Sequence, residues 1–461
     1  MTMPNKKANQ SDRISDLPSN VVDGILANLK IRDLVRTSIL SKKWRYTWTS
    51  APHLCFDVDF YQRFRPPEDP EPVGFDDDFD PWFWHLDNPY PDRVICKTIT
   101  DVLMLHNGPI HKFSIHIPER YRFRLSTEKL NMWIPFMSRD IKHLELLTYQ
   151  TEEDPQYPML DILLSCKELT CFKLRSFNLS IPPNFCGFKK LRELHLYYIQ
   201  FEPRALESFI SSCPVLEKLN IEYCEIPGCD YLVISSPSLK VLVLDLIDIE
   251  SICLKEARSL IDFTLTGYLA KGFIKVWPKI KRFSLDCWEK IVDADVIPSM
   301  LLTGSFSSLE YLKLDELNFD DKGDILYFVS LLKSAPNLIE LVIKHYYVGT
   351  RRVLGHLEEL ESDSCCLKLQ TVKIYIGASS HHAMSLIKFI LANSPLLKTL
   401  TLYRIYDEFD APILLNFLQD LLRMKRASPA AQVDFLHSTY GQRHLIIGHD
   451  KVLDDVTKIN Y

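Results

Sequence analysis

Two adjacent pairs, Cys365-Cys366 and His381-His382, are the side chains here whose types come closest to a metal site. Ligands of these kinds suit zinc, but zinc sites separate neighbouring ligands by two to four residues so that both converge on one ion. Directly adjacent side chains do not converge in that way, so the four read as ordinary loop residues and no metal is expected. The other histidines are scattered. His195 falls on a strand pattern, with no nucleophile or orienting carboxylate placed beside it by the spacing. There is no Gly-rich phosphate loop, no Gly-x-Ser-x-Gly elbow and no His-Glu-x-x-His pair. Glycine supplies only 14 of 461 residues, few for a nucleotide-binding enzyme. These residue types argue for a chain that is not an enzyme and carries no cofactor, so its polar side chains act by binding.

The elements that must position those side chains follow from one recurring pattern, apolar-x-x-apolar-x-apolar. It reads Leu169/Phe172/Leu174, Leu191/Leu194/Leu196, Leu216/Leu219/Ile221, Leu239/Leu242/Leu244 and Leu260/Phe263/Leu265. It continues at Ile280/Phe283/Leu285, Leu309/Leu312/Leu314, Leu338/Leu341/Ile343, Leu369/Val372/Ile374 and Leu397/Leu400/Leu402, with weaker copies from Ile110 and Ile141. Starts from Leu169 onward lie 20 to 31 residues apart, close to the leucine-rich-repeat period. The last two apolar positions are two residues apart, as on the buried face of a strand. Leu206/Phe209/Ile210 and Leu386/Ile387/Ile390/Leu391 recur at helical spacing and supply return legs. Pro214, Pro237, Pro336 and Pro395 each stand two residues before a repeat's first leucine, where proline ends the helical leg. One such unit cannot bury its apolar face alone, so the copies stack. The expected fold is α/β: an irregular leucine-rich-repeat solenoid with parallel strands on the concave side and helices or loops on the convex side. The Asn or Cys that usually follows the last strand leucine by three residues occurs once, as Cys224, so a regular side-chain ladder along the turns is not expected.

If the repeat leucines point inward, their neighbours point to the concave face. Eight of those positions are basic (Lys112, Lys173, Arg175, Lys218, Arg282, Lys313, Lys344, Lys373) and eight acidic (Glu145, Glu193, Glu222, Asp245, Asp262, Asp286, Asp315, Glu340). A surface that tracked phosphates would be dominated by one sign. The mixture points to a protein partner rather than nucleic acid, with His195, Tyr197, Tyr311, Lys313, Asp315, Lys373 and Tyr375 as candidate contacts.

A net charge of −6 gives no reason to expect an anionic membrane as partner. The N-terminal residues lack a signal-peptide stretch, and no apolar run reaches a membrane span, so an intracellular protein, nuclear or cytoplasmic, is expected. Its twelve cysteines then read as reduced small apolar groups, and the Asn178-Leu179-Ser180 sequon as idle. Residues 11–52 form a helical block: Pro18 near a first helix start, a second short helix from about Ile31 to Thr37, and Ser41 capping a third that carries Trp44 and Trp48 on one face. Residues 53–104 read as an acidic, Pro-rich linker or insertion, with Trp82, Phe83 and Trp84 either docking on the repeats or forming an aromatic lip for a partner. The repeats occupy 105–364 and a distinct C-terminal set 365–445.

The stretch Asp16-Leu17-Pro18, Ile25-Leu26 and Leu34-Val35-Arg36-Thr37-Ser38-Ile39-Leu40-Ser41-Lys42-Lys43-Trp44-Arg45, with Trp48, resembles an F-box of the plant type. Asn20 stands where an acidic residue is frequent. Leu369-Gln370-Thr371-Val372-Lys373-Ile374, Ile387-Lys388-Phe389-Ile390-Leu391, Ser394-Pro395-Leu396-Leu397-Lys398-Thr399-Leu400 and Arg426-Ala427-Ser428-Pro429 resemble the FBD region. Together the chain resembles the plant F-box/FBD/LRR-repeat proteins. That resemblance implies a substrate receptor of an SCF-type cullin–RING ubiquitin ligase, with the F-box on a Skp-type adaptor and the repeats on the protein to be ubiquitinated. By motif position, Leu17, Pro18, Ile25, Leu34, Val35, Ser38, Leu40 and Trp44 form the adaptor interface or its support. A protein-interaction scaffold without a degradation role and a ligand-gated receptor of similar layout are the alternatives. The even charge mixture ranks the last of these behind the others.

Overall fold

Pro18 precedes α1 (Ser19–Ala27), and its carbonyl accepts from the Val21 and Val22 N–H groups at 3.0 Å each. Helix α2 (Ile31–Arg36) runs into a 3₁₀ turn, Thr37–Ile39. The Ser41 hydroxyl then accepts from the Trp44 N–H at 3.3 Å, the capping role expected of it. The segment it starts, Trp44–Ser50, is a 3₁₀ helix and not an α-helix. The hydroxyls of Thr47, Thr49 and Ser50 bond the carbonyls of Lys43, Tyr46 and Thr47, and such local side-chain bonds compete with the α-helical ladder. Leu26, Ile31, Leu34, Trp44 and Trp48 bury together as the core of this block.

The structure is a computed structural model that describes residue 14 and residues 17–437 apart from intervening stretches. The longest of these are 65–89, 267–278, 287–305, 316–327 and 345–365. Trp82, Phe83, Trp84, Asp16 and Cys365 lie outside the described residues. Two compact units divide the chain, Met1–Gly228 and Cys229–Tyr461.

In the first unit, β1 (His53–Phe56) follows the helical block directly, then α3 (Val58–Tyr61) and α4 (Tyr90–Leu105). Next come β2 (Lys112–His116), α5 (Thr127–Met137), β3 (His143–Leu147), β4 (Tyr157–Pro158), β5 (Cys171–Arg175) and β6 (Phe177–Leu179). β7 (Glu193–Tyr197), β8 (Gln200–Phe201), α6 (Ala205–Ser211) and β9 (Lys218–Cys224) complete it. Strands β1, β2, β3, β5, β7 and β9 pair in parallel in that order, each repeat leucine in register with the next. This corrects the expected linker 53–104 at both ends. His53–Phe56 pairs with Lys112–Ile115 as a strand of the repeats, because Leu54 and Phe56 alternate with half-buried residues and find the Phe113 and Ile115 row. At the other end, Ile95, Ile99 and Leu103 bury one face of α4.

Three left-handed residues shape the turns. Ser176, Tyr198 and Tyr223 have φ of 67°, 51° and 53°, each two residues past its repeat's last leucine or isoleucine. That turn aims the Ser176 N–H at the Tyr197 carbonyl and the Tyr198 N–H at the Glu222 carbonyl, 3.0 Å each. It also feeds the small parallel sheet β4-β6-β8. Main-chain bonds thus do the work that a regular Asn ladder would do. Where Cys224 does occur, its Sγ accepts from the Ile199 N–H at 3.3 Å and lies 3.5 Å from the Leu196 carbonyl.

In the second unit, β10 (Tyr231–Val233), β11 (Val241–Leu246), β12 (Ser251–Cys253), β13 (Asp262–Thr266), β14 (Arg282–Asp286) and β15 (Tyr311–Asp315) come first. β16 (Glu340–Lys344), β17 (Thr371–Ile376), β18 (Thr399–Arg404) and β19 (Gln432–His437) follow. All but β10 and β12, which pair with each other, form one parallel run in chain order. A helix His381–Asn393 returns from β17 to β18, burying Leu386, Ile387, Ile390 and Leu391 as their spacing predicts. His381 and His382 open that helix and are not loop residues. Every repeat triplet among the described residues is buried on the inner face of its sheet.

Candidate functional site

Two surfaces carry side chains free to meet a partner: the helical block and the outward face of the strands. On the block, Leu34 and Trp44 are fully internal, so of the eight motif positions these two act only as support. Leu17 and Ser38 are half-buried, while Pro18, Ile25, Val35 and Leu40 are exposed. The most exposed apolar residues include two the motif did not single out, Ile39 at 83% and Tyr46 at 70%, beside Leu40 at 54%. The signal for them was available. Ile39-Leu40 is an apolar pair lying outside the stripe that buries Ile31 and Leu34. The block is seated firmly on the first strands. The His53 ring donates Nδ1–H to the Ala27 carbonyl, and the His106 ring donates Nε2–H to the Ala51 carbonyl, both at 2.8 Å. Lys30 pairs with Asp59, and with Asp57 at 3.7 Å.

Along the strands, the residues flanking the inward leucines do line the opposite face, as the two-residue period dictates. In the first unit this face is closed by its own pairing. Glu145 lies 3.4 Å from Lys112 and 3.3 Å from Lys173, and accepts from the Ser114 hydroxyl at 3.1 Å. Burial alone would raise the Glu145 carboxyl; the two ammonium groups and the hydroxyl outweigh it and hold it below its usual range. His195 is only 4% exposed, which corrects its expected display to a partner. Its strand neighbours cover it: Glu193 stands 3.6 Å from Nε2 and the Tyr197 hydroxyl 3.5 Å from Nδ1, with Asn220 donating to that hydroxyl at 3.3 Å. Burial lowers the His195 pKa and keeps the ring neutral. Tyr197 is half-buried, and the same burial pushes its phenol up.

The second unit brings Tyr311, Lys313, Asp315, Lys373 and Tyr375 onto one face, all half-buried and all beside other polar side chains. The Arg282 guanidinium sits 3.8 Å from the Tyr311 ring centroid and 3.4 Å from Asp262. Lys313 and Lys344 lie 2.9 and 3.6 Å from Asp315, and Lys373 lies 3.0 Å from Glu340. Tyr375 stacks on Tyr403 with centroids 4.5 Å apart and planes 13° apart. Asp245, at the β11 end, has no cation or donor beside it among the described residues, and burial pushes its carboxyl up to about 6. Sequence reasoning placed Asp245 on this face but did not single it out, and it did not name Tyr403.

Among the described residues no group of three metal ligands converges, and no helix is long and apolar enough to cross a membrane. The F-box domain family model matches residues 14–55, and the model for the LRR repeats of FBD-associated F-box protein At5g56370 matches residues 131–276. The F-box/FBD/LRR-repeat protein At1g13570 of Arabidopsis thaliana is 29% identical over 450 residues, covering 92% of this chain and 98% of its own. A second Arabidopsis thaliana F-box/FBD/LRR-repeat protein, At1g78750, is 24% identical over 481 residues, covering 94% and 98%. The Arabidopsis thaliana F-box/LRR-repeat protein At3g26922 is 26% identical over 304 residues, covering 59% of this chain and 89% of its own. An N-terminal block with the F-box pattern, followed by FBD-associated leucine-rich repeats on parallel strands, is an order this chain shares with the plant F-box/FBD/LRR-repeat proteins it is similar to.

Proposed function

We propose that this chain is the substrate-recognition subunit of an SCF-type cullin–RING ubiquitin ligase. Its F-box docks on a Skp-type adaptor, and through it a cullin, while its repeats hold the protein to be ubiquitinated. The observation that carries this reading is the exposed apolar set Ile39, Leu40 and Tyr46 on a block of about forty residues. Burying each against a partner stabilises by about 1.5–3 kcal/mol, enough together to hold a specific contact. Pro18, Ile25 and Val35 join that contact, Leu17 and Ser38 edge it, and Leu34 and Trp44 hold its shape. The chain supplies no reacting group. Its contribution to ubiquitin transfer is proximity, raising the effective concentration of a client lysine near the charged carrier. An intracellular site of action, nuclear or cytoplasmic, goes with this reading. So does a division into F-box, repeats from β1 onward, and an FBD-like end within 365–445.

The test is co-purification of a Skp-type adaptor with the wild-type chain and with an Ile39→Ala/Leu40→Ala variant. Both positions are surface residues, so circular dichroism should be unchanged. Capture by wild type and loss in the folded variant supports the reading. No capture by wild type refutes it and leaves a free-standing repeat scaffold. Capture without ubiquitin transfer to any bound protein in a reconstituted ligase leaves a scaffold that uses its F-box for assembly alone.

A further inference from the structure

We propose that the outward strand face of the second unit is where the recruited protein binds, and that it takes a segment with a basic side chain at one end and an aromatic or long aliphatic one at the other. This rests on the reading that the repeats recruit a protein. It adds which half of them does so and what chemistry the partner brings.

The two units use the same kind of face differently. In the first, Glu145 sits between Lys112 and Lys173 and His195 is covered by Glu193 and Tyr197, while the polar atoms left without a hydrogen-bond partner, such as Asn220 Oδ1, belong to residues sealed from solvent, Asn220 being 1% exposed. In the second unit, one line of register runs Asp245, Thr266, Asp286, Asp315, Lys344, Tyr375, Tyr403, Leu436, one residue from each of eight neighbouring strands. The carboxylates of Asp245 and Asp315 lie in its first half, and its last three places are apolar or aromatic. Pooling all outward positions makes the charges cancel; following one line separates them.

Two observations along this line point to something missing. Asp245 is a largely buried carboxylate with no cation or donor beside it among the described residues. A partner ammonium or guanidinium would supply the charge-assisted bond that no described residue makes to it. Asp315 is paired through Oδ2 to Lys313 and Lys344, while its Oδ1 is buried without a hydrogen-bond partner. At the far end, Tyr375 and Tyr403 stack on each other in the half-buried state, Lys344 lies 5.8 Å from the Tyr375 ring centroid, and Leu436, next in register after Tyr403, is exposed. Stacked tyrosines of this kind anchor interfaces because they bring large area at low entropy cost. Asp245 and Tyr403 are six strand steps apart, about 29 Å at about 4.8 Å per step. An extended segment of about nine residues spans that distance. A polyanionic partner would meet the carboxylates of Asp245 and Asp315 and be repelled.

The experiment pans a random twelve-residue peptide library, displayed on phage, against the full chain, whose capture of a Skp-type adaptor is measured separately. Enriched peptides are then synthesised and titrated by fluorescence anisotropy against wild type and the variants Asp245→Asn, Tyr375→Ala/Tyr403→Ala and Lys218→Ala. Peptides carrying Lys or Arg together with Phe, Trp, Tyr or Leu are expected to win. Their Kd should weaken at least tenfold in each of the first two variants and stay within twofold in Lys218→Ala, which alters the first unit. Enrichment of acidic peptides, no enrichment, or indifference of Kd to Asp245 and the tyrosine pair would overturn the proposal. Peptide binding without adaptor capture would defeat the ligase reading alone. Ubiquitin transfer to a client whose binding ignores both sites would defeat this inference alone.

Discussion

Replacing Asp245 by Asn should make the protein more stable at neutral pH, and the gain should shrink in mild acid. The carboxyl is raised from 3.8 to about 6 by burial, with no partner charge among the described residues opposing the shift. A rise of that size corresponds to about 3 kcal/mol of differential stabilisation of the protonated form. Residual contact with water reduces the usable part to about 1–2 kcal/mol. The sign follows from proton linkage. The folded state binds the Asp245 proton more tightly than the unfolded state, so the penalty is full above pH 6 and is relieved as pH falls through 6 toward 3.8. Asn keeps the shape and loses the charge, so the variant escapes the penalty at every pH. For a unit of this size, 1–2 kcal/mol moves the midpoint of melting by about 2–8 °C. Circular-dichroism melts of wild type and variant at pH 7.5, 6.0 and 4.5 would read this directly. The difference should be largest at pH 7.5 and fall to about a third of that at pH 4.5, which lies between the two pKa values. A variant less stable than wild type at pH 7.5, or a difference that grows in acid, would show that Asp245 is paired in solution and would refute the reasoning.

Three further perturbations test the frame. Gly187 has φ of +82°, and a Cβ built there would come 1.9 Å from the Ser212 carbonyl oxygen, a backbone atom that cannot step aside; Gly187→Ala should cost at least about 2 kcal/mol by urea denaturation. Cys224→Ala removes the acceptor of the buried Ile199 N–H and should cost about 1–2 kcal/mol, whereas Cys224→Asn, which keeps an acceptor, should recover most of it. Glu145→Gln leaves Lys112 and Lys173 facing each other without their shared counterion, at a cost of about 1–3 kcal/mol measured by urea midpoint at pH 7. Its pH dependence runs opposite to that of Asp245. The Glu145 carboxyl is lowered in the folded state, so its stabilisation is present above the ordinary 4.5 and disappears as pH falls through the lowered value, where wild type and variant should converge.

The inner face was legible in the sequence because a strand has a fixed two-residue period and leucine has one reason to recur on it. Leu169, Phe172 and Leu174 bury where their spacing puts them, and so do the corresponding residues as far as Leu397, Leu400 and Leu402. The first strand was missed because His53-Leu54-Cys55-Phe56 has no leading leucine and is followed by an acidic, proline-rich stretch. The strands β4, β6 and β8 are two or three residues long, too short for any period, and they follow from left-handed turns at Ser176 and Tyr198 that no residue type announces. The outward face was legible in direction but not in depth. Parity puts His195 and Tyr311 on the same side of their strands; only neighbours contributed by other repeats decide that His195 is sealed and Tyr311 half open. On the helical block, motif position selected Leu34 and Trp44, which turn out internal, and passed over Ile39 and Tyr46. A motif records which positions matter without saying whether they touch the partner or shape the surface that does.

The contrast between Glu145 and Asp245 also bears on how a repeat protein separates stability from recognition. Both are carboxylates at outward positions of parallel strands, and both are largely removed from water. Burial costs each of them several kcal/mol if nothing answers the charge. For Glu145 the fold answers with two lysines and a serine from the adjacent strands, and the carboxylate becomes part of the scaffold. For Asp245 the adjacent strand offers Thr266 in register and no cation. A substitution to Asn would remove that cost with little change of shape, and stabilising changes of this kind are easy to reach. A counterion from outside the chain would answer the charge that the described neighbours leave unmatched. On that view the stability gained by Asp245→Asn and the peptide affinity lost by it measure the same unmade ion pair from two sides. A variant that gained one without losing the other would separate them.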